Sequence, residues 1–278
     1  MSVNGVLFLP NDVKQLIVGY LDIVDWDNAS QGLECTISAC TKRKKISQLK
    51  EQSYKYKNLS EKEQLELIAI DPCNIKWIHS PSEFVCIAAV QQNRDLIQFI
   101  KNPSEFVCLA AVQQNGFLIR YIHNPSEAIC LAAVQENGYA IHHIRTPTES
   151  ACLAAVQENG NAIQFIHNPS EAVCLAAVKQ DATSILYIDN PSEAACLRAV
   201  KQLTDAIQFI KNPSEAVCLA AVQEDGYVIQ HIHNPSEVVS LAAVQQNGCA
   251  IMYIRIPSDD VSLAALSQDN NAIAFINN

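Results

Sequence analysis

The sequence predicts an all-α protein: a right-handed α-solenoid of 22-residue, two-helix repeats preceded by a small helical N-terminal domain. Three observations lead there. Pro81, Pro103, Pro125, Pro147, Pro169, Pro191, Pro213, Pro235 and Pro257 are each 22 residues apart, and a fixed period of this size marks a stacked array. Each copy carries a contiguous, Ala-rich apolar run such as "EFVCLAAV", where a leucine-rich repeat would alternate Leu along a strand. The chain is 49% hydrophobic but only 6% aromatic, which suits thin, closely packed elements better than one bulky core.

The first predicted domain covers 1–57. Its opening, "LPNDVKQLIVGYLD" at 9–22, resembles the start of an F-box, whose usual form is LPxElxxxIlsYLd. "ISACTKRKK" at 37–45 is similar to the end of that motif, typically "LSLVSKRWR". About seven extra residues separate the halves, and Lys44 stands where the late Trp is usual. The resemblance implies a helical module that binds the Skp-type adaptor of cullin–RING ubiquitin ligases through Leu9, Pro10, Val13, Ile17, Tyr20 and Leu21. An amphipathic "DVKQLIVGYL" helix serves equally well as a cap on the solenoid, so both readings stand.

Residues 58–80 read as a degenerate, more polar copy. Asn58, Ser60 and Glu61 match the start of a repeat, and Ile75 and Ile78 match its second helix. Nine regular copies follow over 81–278. In each, Asn-Pro-Ser-Glu predicts Asn as N-cap, Pro at the first helical position and Glu completing a capping box. A first helix of about 11–12 residues then ends at Asn-Gly, with Gly expected in the left-handed conformation. A second element of six or seven residues, "FLIRYI" in one copy, turns Leu118, Ile119 and Ile122 inward and is short enough to be partly 3₁₀. A single 22-mer buries too little surface to be stable alone, so stability is expected from stacking. The "CLAAVQxNGxAIxxI" core resembles the "AVKQNGxAL" helical repeats of unknown function found in proteins of amoeba-infecting giant viruses. That resemblance implies a lineage and no chemistry.

The net charge is −10, and 1–78 is neutral with ten acids and ten bases, so the charge belongs to the repeats. An acidic surface repels phosphate, which argues against nucleic acid and anionic membranes as partners. No signal peptide or membrane span is legible. Cys86, Cys108, Cys130, Cys152, Cys174, Cys196 and Cys218 share a column that continues as Ser240 and Ser262. Such a column wants a small side chain rather than a disulfide, so a reducing, cytoplasmic setting is expected (the host's, for a viral chain).

Catalysis finds no constellation here. His79, His123, His167 and His233 share their column with Lys101, Arg145, Lys211 and Arg255; that exchange fits charge–dipole complementarity and not a metal site. Cys35 and Cys40 have no companion pair at zinc-finger spacing, and "TKRKK" reads as a solvated helix end. No cofactor or metal is expected, and the chain is not read as an enzyme. Binding is expected where copies differ. Two freely varying columns of the short helix, three residues apart, carry Phe117, Arg120, Tyr139, His142, Tyr227 and Gln230. These are residue types that dominate protein interfaces, and the expected partner is a protein target held on that face.

Overall fold

The computed structural model describes residues 59–276; the module expected at 1–57, with Cys35, Cys40 and "TKRKK", lies outside them. The chain divides into two compact units, one ending at Glu136 and the other beginning at Asn137. The first contains α-helices Glu61–Ile70, Glu83–Gln92, Glu105–Val112 and Glu127–Glu136, alternating with 3₁₀ helices Pro72–Trp77, Arg94–Phe99 and Gly116–Tyr121. The second opens on the 3₁₀ helix Gly138–His143 and repeats the same alternation from Glu149–Glu158 through Asp259–Gln268, ending in Asn270–Ala272 and Ile273–Ile276. Inside each unit, successive α-helices pack on one another and successive 3₁₀ helices do the same. The described residues are therefore an all-helical array of paired helices with contacts between repeats.

The inward faces are those the pattern predicts. Ile97, Ile119, Ile141, Ile163, Ile185, Ile207, Ile229 and Ile251 are all within 2% of complete burial. Each contributes roughly 1.5–3 kcal/mol by leaving water. On the α-helices a Val-Cys pair and an Ala-Val pair one turn later, such as Val173, Cys174, Ala177 and Val178, face inward. Ser240 is buried in the Cys column at 4% exposure, so the column does select for size.

Three local expectations are corrected. The second element is wholly 3₁₀ over six residues in every regular copy but the last, where Asn270–Ala272 passes into α-helix Ile273–Ile276, and the α-helix is ten residues long, or eight in Glu105–Val112. The N-cap is Ser, not Asn, and Glu occupies the first helical position: Ser192 Oγ, for example, accepts from the Ala195 N–H at 3.1 Å. Asn102, Asn124, Asn168, Asn212 and Asn234 instead sit in the left-handed region at φ 49–53°, which Asn tolerates better than other residues bearing a Cβ. They turn the chain from the 3₁₀ helix into the Pro-Ser cap.

The Asn-Gly stop is also built differently. Among the described residues no glycine has positive φ. The Asn is extended, as Asn159 is at φ −147°, and its side chain caps the following 3₁₀ helix by accepting from the N–H two residues on. Where Gly stands it permits a close approach, although the same column holds Arg94, Ala182 and Thr204 in other copies. A Cβ on Gly138 would lie 2.4 Å from the Ala155 carbonyl oxygen, and one on Gly160 would lie 2.6 Å from that of Ala177.

Two hydrogen-bond ladders link the copies within each unit. The Glu at the start of one α-helix accepts from the N-cap Ser of the next: Ser126 to Glu105 at 2.6 Å, Ser192 to Glu171 at 2.5 Å and Ser214 to Glu193 at 2.6 Å, with Ser104 and Glu83 paired in the same way. A Gln or Glu ending the next α-helix accepts from the first N–H of the 3₁₀ helix, as Glu136 does from Gly116 and Gln180 from Gly160, both at 2.7 Å. In the polar first copy, Ser60 turns to Glu63 of its own helix in a true capping box. Those hydrogen bonds from Ser60 hold the Glu63 carboxyl below the usual carboxylate range.

Candidate functional site: the exposed face of the 3₁₀ layer

Six residues fold as 3₁₀ because they must turn the chain back within a 22-residue period, and i and i+3 eclipse in that helix. The outward residues of each short helix are thereby held in line. In the first unit Phe117 is half-buried and Arg120 exposed; the Arg120 guanidinium lies 4.7 Å above the Tyr121 ring. In the second unit Tyr139 and His142 are brought together around Phe165. Tyr139 meets that ring edge-on at 5.8 Å, and His142 meets it tilted at 4.7 Å. Tyr227 packs edge-on against Tyr253 at 6.1 Å, and Gln230 is exposed. Each expected face residue thus lies on the 3₁₀ layer, and within the second unit Tyr139 and His142 form one cluster. Leu9, Pro10, Val13, Ile17, Tyr20 and Leu21 lie outside the described residues.

The ring partners were not anticipated. Tyr121, Phe165 and Tyr253 belong to a column that reads Trp77, Phe99, Tyr121, His143, Phe165, Tyr187, Phe209, His231, Tyr253 and Phe275. Trp77 is 56% exposed, Phe99 and Tyr253 41%, and Tyr187 42%. A column of one type reads as core when only variation is taken as the mark of a surface. Its signal was nonetheless present: the aromatic is followed by an Ile and then, in most copies, by Lys, Arg or His, as in Phe99-Ile100-Lys101. Edge-to-face ring pairs contribute about 0.5–1.5 kcal/mol beyond area burial, so some of these rings also join adjacent copies.

The cysteines are placed for packing. Burial, with the Glu that starts each helix adding to it, pushes the Cys86 and Cys108 thiols up to about 11. Cys130, Cys152, Cys174, Cys196 and Cys218 are raised for the same reasons. A nucleophilic Cys needs the opposite shift. His79, His123, His167 and His233 are exposed on the loops that follow the 3₁₀ helices. Among the described residues no group of three His, Cys, Asp or Glu is placed to hold a metal ion, and no helix is long and apolar enough to cross a membrane. The described residues form an all-helical repeat array, with the column cysteines inside it and the histidines spread along its surface. Comparison with protein families, with curated proteins and with solved structures finds no match to this chain.

Proposed function

We propose that this chain is a helical-repeat scaffold that holds a protein partner on the exposed face of its 3₁₀ helices. The observation that carries the reading is the Tyr139–His142–Phe165 cluster, with the Tyr227–Tyr253 pair in the same columns. Rigid aromatic side chains beside exposed polar ones are the make-up of interface hot spots. The two layers behind them hold those rings in place with little entropy left to lose on binding. The test is cross-linking and capture by the full-length protein, comparing wild type with a Tyr139→Ala/His142→Ala/Tyr227→Ala/Gln230→Ala variant that keeps its helical signal. Loss of specific captured proteins supports the reading. An unchanged set sinks it.

A second reading adds a ubiquitin-ligase link, and "LPNDVKQLIVGYLD" favours it. In that reading 1–57 engages a Skp-type adaptor and the repeats present the target. Pull-down of the purified adaptor by full-length wild type, with a Leu9→Ala/Pro10→Ala double variant as control, tests it. No adaptor retained by wild type ends this reading and leaves 1–57 as a cap on the array.

A further inference from the structure

Charge is separated between the two layers of the first unit. Its α-helices, at Glu61–Ile70, Glu83–Gln92, Glu105–Val112 and Glu127–Glu136, carry seven acids against the single cation Lys62. The 3₁₀ helices and the loops leaving them carry Lys76, Arg94, Lys101 and Arg120 against Asp95 alone. In a chain of net charge −10, this face is locally cationic. It is also aromatic, through Trp77, Phe99 and Tyr121. Two open notches lie along it, of about 460 and 680 Å³, separated by a shared wall at Ile100–Pro103. Trp77 and Phe99 line the first, Tyr121 the second, and Lys101 both.

The carboxylates of Glu83 and Glu105 also line the notches, but each is held by the Ser hydroxyl of the next copy. Lys101 has no ion-pair or hydrogen-bond partner among the described residues.

Resting on the scaffold reading, we propose that this ridge, from Lys76 to His123, docks an extended acidic segment of a partner protein. Its carboxylates would meet Lys76, Lys101 and Arg120, and its apolar side chains would enter the notches beside Trp77 and Tyr121. Cations interleaved with aromatics also serve single-stranded nucleic acids, where bases stack on free ring faces. Here Phe99 and Tyr121 each already carry a cation on one face: Lys76 Nζ lies 3.8 Å from the centre of the Phe99 ring, and Arg120 covers Tyr121 at 4.7 Å, leaving Trp77 as the open ring. An ammonium or guanidinium lying on a ring still offers its N–H groups to a carboxylate, whereas a base would have to displace it. The acidic charge of the rest of the chain further disfavours a long polyphosphate.

The test uses full-length protein and fluorescence anisotropy with three labelled probes: a 12-residue peptide alternating Glu with Leu or Ala, its Lys-for-Glu counterpart, and a 12-nucleotide oligothymidylate. The acidic peptide is expected to bind and to weaken as salt rises. Lys101→Glu or Arg120→Glu should reduce its affinity at least tenfold, Trp77→Ala should reduce it severalfold, and the basic peptide should not bind. These substitutions are on exposed side chains, and far-UV circular dichroism checks that the fold is kept. Absence of acidic-peptide binding, binding indifferent to Lys101→Glu and Arg120→Glu, or tighter binding of the oligonucleotide would each overturn the proposal. So would concentration-dependent dimerisation in sedimentation velocity that Lys101→Glu abolishes, which would assign the ridge to the acidic α-layer of a second copy. Should the probes fail while the four-site variant of the second unit still loses its captured proteins, the ridge proposal falls and the scaffold reading stands.

Discussion

Ser192 joins two roles, and separating them measures what the repeated Pro-Ser-Glu does. Its hydroxyl oxygen accepts from the Ala195 N–H at 3.1 Å and its proton goes to Glu171 Oε1, 2.5 Å away on the preceding α-helix. Ser192→Ala removes both bonds. Glu171→Ala removes the link between copies and leaves the cap. An N-cap Ser lost to Ala costs about 1 kcal/mol. A hydrogen bond to a carboxylate contributes about 1.5–3 kcal/mol at best, and exposure brings that toward 0.5–1 kcal/mol. Ser192→Ala should therefore cost about 1.5–2 kcal/mol. Glu171→Ala should cost about 0.5–1 kcal/mol plus a few tenths for the acid lost from a helix N-terminus. The double variant should fall short of the sum by about 0.5–1 kcal/mol, which is the coupling. Urea unfolding of the four full-length proteins, followed by circular dichroism at 222 nm, gives all the terms. A coupling indistinguishable from zero would refute the ladder as a source of stability and leave Ser as an ordinary cap.

Other consequences follow from single positions. Ser184 is fully buried with no partner for its hydroxyl, in a column where Ala162 and Ala206 are equally buried; Ser184→Ala should stabilise by about 1 kcal/mol, read as a higher urea midpoint, and a lower midpoint would mean the hydroxyl is bonded. Leu203 stands where other copies cap the 3₁₀ helix with Asn or Asp, makes no side-chain cap, and is 39% exposed. Leu203→Asp should therefore stabilise by about 0.5–1 kcal/mol, read as a higher urea midpoint. Gly138→Ala should cost about 1–3 kcal/mol, because its Cβ would press on a carbonyl oxygen in the next α-helix; a thermal midpoint unchanged from wild type would contradict that contact. Cys86 and Cys108 hold their protons up to about 11 in the folded state against an ordinary 9.0. Between those values the unfolded chain binds fewer protons, so stability present below pH 9 is lost as pH rises toward 11. A Cys86→Ser/Cys108→Ser variant should flatten that part of the midpoint-against-pH curve.

Much of the architecture was legible because it is periodic and local. Helix follows from the contiguous apolar run, the inward face from Leu118, Ile119 and Ile122, and stacking from a 22-residue unit too small to bury its own surface. The size limit of the Cys column was equally plain from Ser240. The expected face was legible only as a position: Phe117, half-buried, and Arg120, exposed, lie on the 3₁₀ layer, yet the aromatics beside them went unread because their column hardly varies.

What one copy of the sequence leaves open is any choice whose partner sits in another copy. Asn-Pro-Ser-Glu is compatible with a cap at Asn or at Ser. Packing selects Ser, because only then does its hydroxyl reach the Glu of the preceding helix, 21 residues back. Asn-Gly is compatible with a left-handed stop. In the copies that carry Gly138, Gly160, Gly226 and Gly248, a carbonyl oxygen 17 residues further on comes too close for a Cβ, while Ala182 and Thr204 hold the same place in copies packed less tightly there. The same holds for charge. Lys76, Lys101 and Arg120 are scattered over 45 residues of an acidic chain, and stacking brings them onto the 3₁₀ side of the first unit, since each copy presents its short helix there.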